Sequence, residues 1–105
     1  MVDGFQKVAS ISAIPPGTIR TAKFMGEEIS IANVEGQFYA FPSRCTHAGG
    51  PLGRGNLAGF IVQCPFHGSK FDVRTGAVVS PPAQTPLRTF VVKVENGGVW
   101  VKNPA

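Results

Sequence analysis

"CTHAGGPLGRGNLAGFIVQCPFH", Cys45 to His67, holds both cysteines and both histidines of a 105-residue chain. They fall in two groups, Cys45-x-His47 and Cys64-x-x-His67, with 16 residues between His47 and Cys64. Thiolate and neutral imidazole are the usual protein ligands of borderline and soft transition metals. Side chains this close in sequence can grip one centre, so two such groups on neighbouring loops make a four-ligand site. The glycine-rich segment between them allows the chain to return, and glycines beside the ligands let backbone N–H groups approach sulfur. Four rare residues in matched pairs argue against unrelated core cysteines and surface histidines.

Two metal readings stay open on the residues alone. One is a structural Cys2His2 zinc site. Zinc fingers, however, normally take two Cys from one knuckle and two His from the other, whereas each group here supplies one of each. The other is a [2Fe–2S] cluster, with Cys45 and Cys64 on one iron and His47 and His67 on the other.

Working outward, the flanks read as strands. "IRTAKF" (19–24) and "EEISIANV" (27–34) flank Gly26 as a hairpin, and "EGQ" (35–37) turns into "FYAF" (38–41). "FQKVA" (5–9) alternates, and "GFIVQC" (59–64) feeds the second ligand group. "KFDV" (70–73) and "AVVS" (77–80) form a hairpin about "RTG". "LRTFVVKV" (87–94) and "VWVKN" (99–103) close the chain through an Asn-Gly turn. Residues 42–57 read as loop, and "PPAQTP" (81–86) as a stiff connection. No glycine- and proline-free window keeps an amphipathic helical stripe. The expected fold is all-β, a small antiparallel sandwich or barrel with the ligand segment projecting as two loops. Most of Phe38, Tyr39, Phe41, Phe60, Phe90 and Trp100 are expected to pack in the core.

Composition narrows the function. With 43% hydrophobic and 15% charged residues the chain is globular, one domain over residues 1–105. The longest apolar run is four residues, Phe38 to Phe41, against the roughly 20 a membrane helix needs. With no apolar leader at the N-terminus, the chain reads as cytoplasmic, without membrane anchor or disulfide. The +4 net charge is spread along the sequence without a basic run, which argues against nucleic acid. Arg44, Arg54 and Lys70 could meet an acidic partner, and Asp72 could cap or brace the second loop.

"CTHAGGPL" and "CPFHGSKFD" resemble the two cluster-binding boxes of Rieske proteins, down to Thr46, Gly49, Leu52, Pro65, Gly68 and Ser69. "FDVRTGAVVSPP" and the C-terminal hairpin are similar to Rieske-type ferredoxins, so the resemblance covers nearly the whole chain. It implies a Rieske antiparallel β-sandwich with a cluster-binding subdomain at about 43–71. It also implies one [2Fe–2S] cluster of Cys2His2 type on Cys45, His47, Cys64 and His67. Pro81 and Pro82 would lie nearest the cluster in a third loop, and Phe66 and Leu52 would shield it.

Departures from the pattern select a branch. High-potential Rieske subunits of quinol-oxidising complexes carry a disulfide where this chain has Gly50 and Phe66, and a Tyr where it has Phe71. The missing hydroxyl removes a hydrogen bond to a cluster sulfur and lowers the potential, while Ser69 keeps one such donor. An oxygenase would need a further iron on two more histidines and a carboxylate. The cluster uses both histidines, so no catalytic residue is expected. The resemblance therefore implies an electron carrier between an NAD(P)H-dependent ferredoxin reductase and a terminal Rieske oxygenase. Alternatives are the small Rieske subunit of an assimilatory nitrite reductase and, remotely, a zinc-stabilised interaction module.

Overall fold

The computed structural model describes residues 4–46, 49–66 and 68–103. Within them ten strands form three antiparallel sheets, joined by turns and two short 3₁₀ segments, Ile11–Ala13 and Leu52–Arg54. The first sheet contains β1 (Gln6–Ser10), β9 (Val91–Glu95) and β10 (Gly98–Lys102), in the order β1-β10-β9. The second contains β2 (Ile19–Phe24), β3 (Glu27–Val34) and β4 (Gln37–Pro42), in sequence order. The third contains β5 (Asn56–Ala58), β6 (Ile61–Gln63), β7 (Lys70–Asp72) and β8 (Val78–Ser80), also in order. Among the described residues no helix is long and apolar enough to cross a membrane.

Strand β3 is the centre of the packing, because side chains alternate between its two faces and both faces are covered. Ile29 and Ile31 join Ile14, Phe24, Ala40, Phe90, Val99 and Val101 in a core against the first sheet. Ala32 and Val34 join Phe41, Leu52, Val62, Phe71 and both cysteines in a second core against the third sheet. The pairing explains the division: Ile31 stands opposite Ala40 and Ser30 opposite Phe41, so β4 alternates in step with β3. Each fully buried Ile, Val, Leu or Phe contributes about 1.5–3 kcal/mol relative to exposure. The middle sheet is thus the plate on which the ligand loops stand.

The expected hairpins form where the turn residues placed them. Met25-Gly26, Glu35-Gly36 and Asn96-Gly97 all have positive φ at both positions, which matches the right-handed twist of the strands on either side. Two expectations need correction. Residues 87–90 do not extend β9. Leu87 N–H bonds Gly76 O (2.8 Å) and Phe90 N–H bonds Ala40 O (3.0 Å), so this segment ties sheets together instead of pairing along one strand. Asn56 and Leu57, expected as loop, belong to β5, because Asn56 to Ala58 pair with Gln63 to Ile61. That pairing presses Gly55 onto the Gln63 carbonyl, where any Cβ would collide.

Candidate metal centre

The two ligand groups are built on the same local plan. In the first loop Leu52 N–H bonds Ser43 O (2.9 Å), Arg44 bridges Pro51, and Cys45 N–H bonds Gly50 O (2.8 Å). In the second, β6 and β7 form a hairpin whose tip is closed by Cys64 N–H to Ser69 O (2.8 Å). In both, the cysteine amide bonds a carbonyl five residues on, so both cysteines sit on the innermost rung of their loop. A further bond tightens each tip, Gly49 N–H to Cys45 O (2.9 Å) and Gly68 N–H to Phe66 O (2.8 Å). His47 and His67, the other two predicted ligands, lie outside the described residues.

The rungs bring the cysteines together. Cys45 is 3% and Cys64 1% exposed, both in the core formed with Leu52, Val62 and Phe71. Burial pushes the Cys64 thiol up; the Phe66 backbone N–H, bonded to the sulfur, opposes this, and the adjacent Cys45 adds to the rise. Two buried thiolates at hydrogen-bonding range repel each other, so their charged forms are stable only with a cation beside them. Soft sulfur donors with a backbone N–H already aimed at one of them fit an iron centre.

Gly50 explains how the loops come so close. A Cβ there would lie 2.6 Å from Cys64 Sγ, 3.1 Å from Phe66 Cβ and 3.3 Å from Phe66 Cγ. The first loop's backbone therefore lies directly on the second loop's sulfur. Gly50 and Phe66, the pair that the resemblance sets in the place of a disulfide, are neighbours in space.

A third loop locks the two. Thr46 Oγ1 donates to Thr85 O (2.5 Å), and Ala83 N–H donates to Ser69 Oγ (3.0 Å). Ser69 is fully buried, and by accepting from Ala83 it keeps its own proton to donate. Residues 81–86 thus hold both ligand loops through the backbone of Ala83 and Thr85. Those two contacts use main-chain groups, which carry no residue signature. Pro81 is exposed and Pro82 half-buried, joined by a cis peptide.

Other candidates spread around this centre. Leu52 is fully buried beside the cysteines, whereas Phe66 is 53% exposed: one side lies against Gly50 and the other faces solvent. Arg44 and Arg54 are exposed and Lys70 half-buried. Among the described residues the Asp72 side chain bonds only Arg74 and does not reach the second loop. It caps its own hairpin turn, accepting from Arg74 N–H (2.9 Å) and pairing with the Arg74 guanidinium (2.8 Å). That guanidinium holds the Asp72 carboxyl below the usual carboxylate range and also lies 4.1 Å from the centre of the Phe60 ring. Phe41 and Phe90 are core residues as expected, and Phe38, Tyr39 and Phe60 are half-buried. Trp100 is the exception among the six: its cross-strand partners are Lys7 and Lys93, which puts it on the outer face of the first sheet.

Residues 4–91 match the family described as the Rieske [2Fe-2S] domain. Ferredoxin CarAc of Metapseudomonas resinovorans is 42% identical over 96 residues, 90% of either chain. The biphenyl dioxygenase ferredoxin subunit of Pseudomonas sp. (strain KKS102) is 38% identical over 98 residues, 92% of this chain and 90% of the relative. Among solved structures, a chain from the complex of reduced oxygenase and oxidized ferredoxin in carbazole 1,9a-dioxygenase superposes with a TM-score of 0.90. It is 38% identical and 97% of both chains is covered. Paired loops that present buried sulfurs to one point, in a chain matched almost end to end by such proteins, allow one assignment: the chain belongs to the Rieske family and binds a [2Fe–2S] cluster.

Proposed function

We propose that the chain is the ferredoxin component of a multicomponent oxygenase system, an electron carrier and not itself an enzyme. It takes one electron from an NAD(P)H-dependent ferredoxin reductase and delivers it to a terminal Rieske oxygenase of the aromatic-ring-hydroxylating type. Ferredoxin CarAc and the biphenyl dioxygenase ferredoxin subunit support this reading, as does the solved complex of an oxygenase with a ferredoxin. The observation that carries it is the junction of the two loops, with buried Cys45 and Cys64 beside each other and Gly50 seated on the Cys64 sulfur.

In this reading Cys45 and Cys64 hold one iron and His47 and His67 the other. The chain acts as a single domain, 1–105, with residues 43–71 forming the cluster-binding part, and works in the cytoplasm. When bound, the cluster supplies a centre that gains and loses one electron. The protein sets the conditions. Leu52, Val62 and Phe71 exclude water behind the sulfurs, and the Phe66 N–H favours negative charge on Cys64. Ser69, held by Ala83, has its proton ready for a further sulfur acceptor, and Gly50, Gly68, Pro81 and Pro82 shape the loops around the site.

Purified chain reconstituted with iron and sulfide should be red-brown, with two irons and two acid-labile sulfides per chain. It should be reduced by an NAD(P)H-fed ferredoxin reductase and should restore product formation by a reductase-dependent ring-hydroxylating oxygenase. A colourless, zinc-bearing chain that transfers no electrons would overturn the proposal.

A further inference from the structure

The outer face of the first sheet is not used by the cluster site. No residue of β1, β9 or β10 belongs to the core around the cysteines; these strands pack on the other core, with the middle sheet between. Yet this face has a defined composition. One cross-strand row reads Lys7, Trp100, Lys93. Lys102, two residues from Trp100, shares the face by alternation. The ammonium groups of Lys93 and Lys102 each stand 5.0 Å from the centre of the Phe5 ring. Lys7 lays its stem across Gly98, where a Cβ would come within 2.9 Å of its Cε. Glu95 is the one carboxylate here among the described residues, and it pairs with Lys93 (3.1 Å).

We propose that this face is a second docking surface, for an acidic polypeptide, separate from the loops that hold the cluster. Lys7 and Lys102 have no carboxylate partner among the described residues, so the face presents net positive charge. The Phe5 ring fixes where the Lys93 and Lys102 charges stand, and preorganised charge binds with less loss of side-chain entropy than free lysines would. Half-buried Trp100 and Phe5 add the aromatic surface common at the centre of interfaces. Nucleic acid fits less well. Trp100 Nε1–H is tied to Glu95 O (3.2 Å), which fixes the ring against the sheet, and the face has no arginine. Two layers of structure separate it from the cysteines, so its role is to tether a partner, leaving the cluster loops open for electron exchange.

Trp100 is the single tryptophan of the chain and therefore reports on this face. The holoprotein should be titrated with a poly-glutamate peptide and Trp100 fluorescence followed. Binding should weaken with added salt, and K7Q/K93Q/K102Q should weaken it about tenfold or more. A charge-matched control, R20Q/K23Q/R88Q, removes three exposed cations elsewhere and should leave the affinity within about twofold. Visible absorption of the cluster shows that each variant is intact. Equal losses in the two triple variants would mean net charge alone and would overturn the proposal. So would tighter binding of oligothymidylate or of phosphatidylserine vesicles than of the peptide at the same salt, or no fluorescence change in the wild-type chain.

Discussion

Replacing Gly50 by Ala tests the packing on which the centre depends. The new Cβ would lie 2.6 Å from Cys64 Sγ, about 0.8 Å inside ordinary van der Waals contact, which starts near 3.4 Å. The contacts to Phe66, at 3.1 and 3.3 Å, are short by only a few tenths of an ångström. The two neighbours differ in their freedom to respond. Phe66 is 53% exposed and can swing outward, whereas Cys64 is 1% exposed and fixed by its amide bond to Ser69 O. The methyl therefore acts on the sulfur. Overpacking of this kind costs about 1–3 kcal/mol. Reduced chain entropy in the unfolded state offsets about 0.4–1 kcal/mol, since Gly50 needs no positive φ. The net expectation is a loss of about 1–2 kcal/mol in apoprotein denaturation. Iron and labile sulfide per chain should fall as well. Adding F66A should recover less than about 0.5 kcal/mol, because it keeps the Cβ and removes only the 3.3 Å contact to Cγ. Unchanged stability with full iron content in G50A would refute the reasoning. Full rescue by F66A would refute its central step, that Cys64 and not Phe66 sets the limit.

Other sites give independent expectations. Asn33, 4% exposed, donates to Ile14 O (2.7 Å) and accepts from Gly36 N–H (2.8 Å). Asn33→Ala strands both backbone groups and should cost about 2–3 kcal/mol by urea denaturation, with the cluster absorption unchanged. Met25 has φ 52° on an exposed turn, so Met25→Asn should raise the thermal midpoint by roughly 2–5 °C, and a lower midpoint would contradict the turn geometry. Arg74 depresses the Asp72 carboxyl, so the pair's stabilisation is complete above the ordinary carboxylate range and disappears as pH falls through the lowered folded value. Asp72→Asn should therefore flatten the acid limb of the stability curve below about pH 4 and leave its shape above pH 6 unaltered.

How much of this was legible in the sequence depends on which atoms carry the information. Hairpins were legible because Gly26 and Asn96-Gly97 mark turns in side-chain language. The cysteine clamps were legible because thiols are rare and their spacing is constrained. Strand β5 was not, since three short-range backbone pairs around the turn at Gly59 and Phe60 leave little trace in composition. Residues 87–90 had a strand's composition, but their amides bond Gly76 and Ala40, partners distant in sequence. Trp100 could not be told apart from the core aromatics because hydrophobicity does not say which face of an alternating strand is covered. Only the pairing with Lys7 and Lys93 does.

The same distinction bears on how the loops are held. In the quinol-oxidising branch a covalent bridge would occupy the place of Gly50 and Phe66. A disulfide needs Cβ atoms about 3.5–4.5 Å apart. Here a Cβ on Gly50 would stand 3.1 Å from that of Phe66, and the space such a bridge would use is already taken by the Cys64 sulfur. The loops are too close for the bridge, so they are fastened from a third side. Thr46 and Ser69, one from each ligand loop, both bond the backbone of residues 81–86. Such bonds contribute about 0.5–1.5 kcal/mol each, less than a disulfide's typical 2–4 kcal/mol. They tolerate a reducing compartment, which a disulfide does not. They also make the third loop part of the centre, since loosening 81–86 releases both ligand loops together.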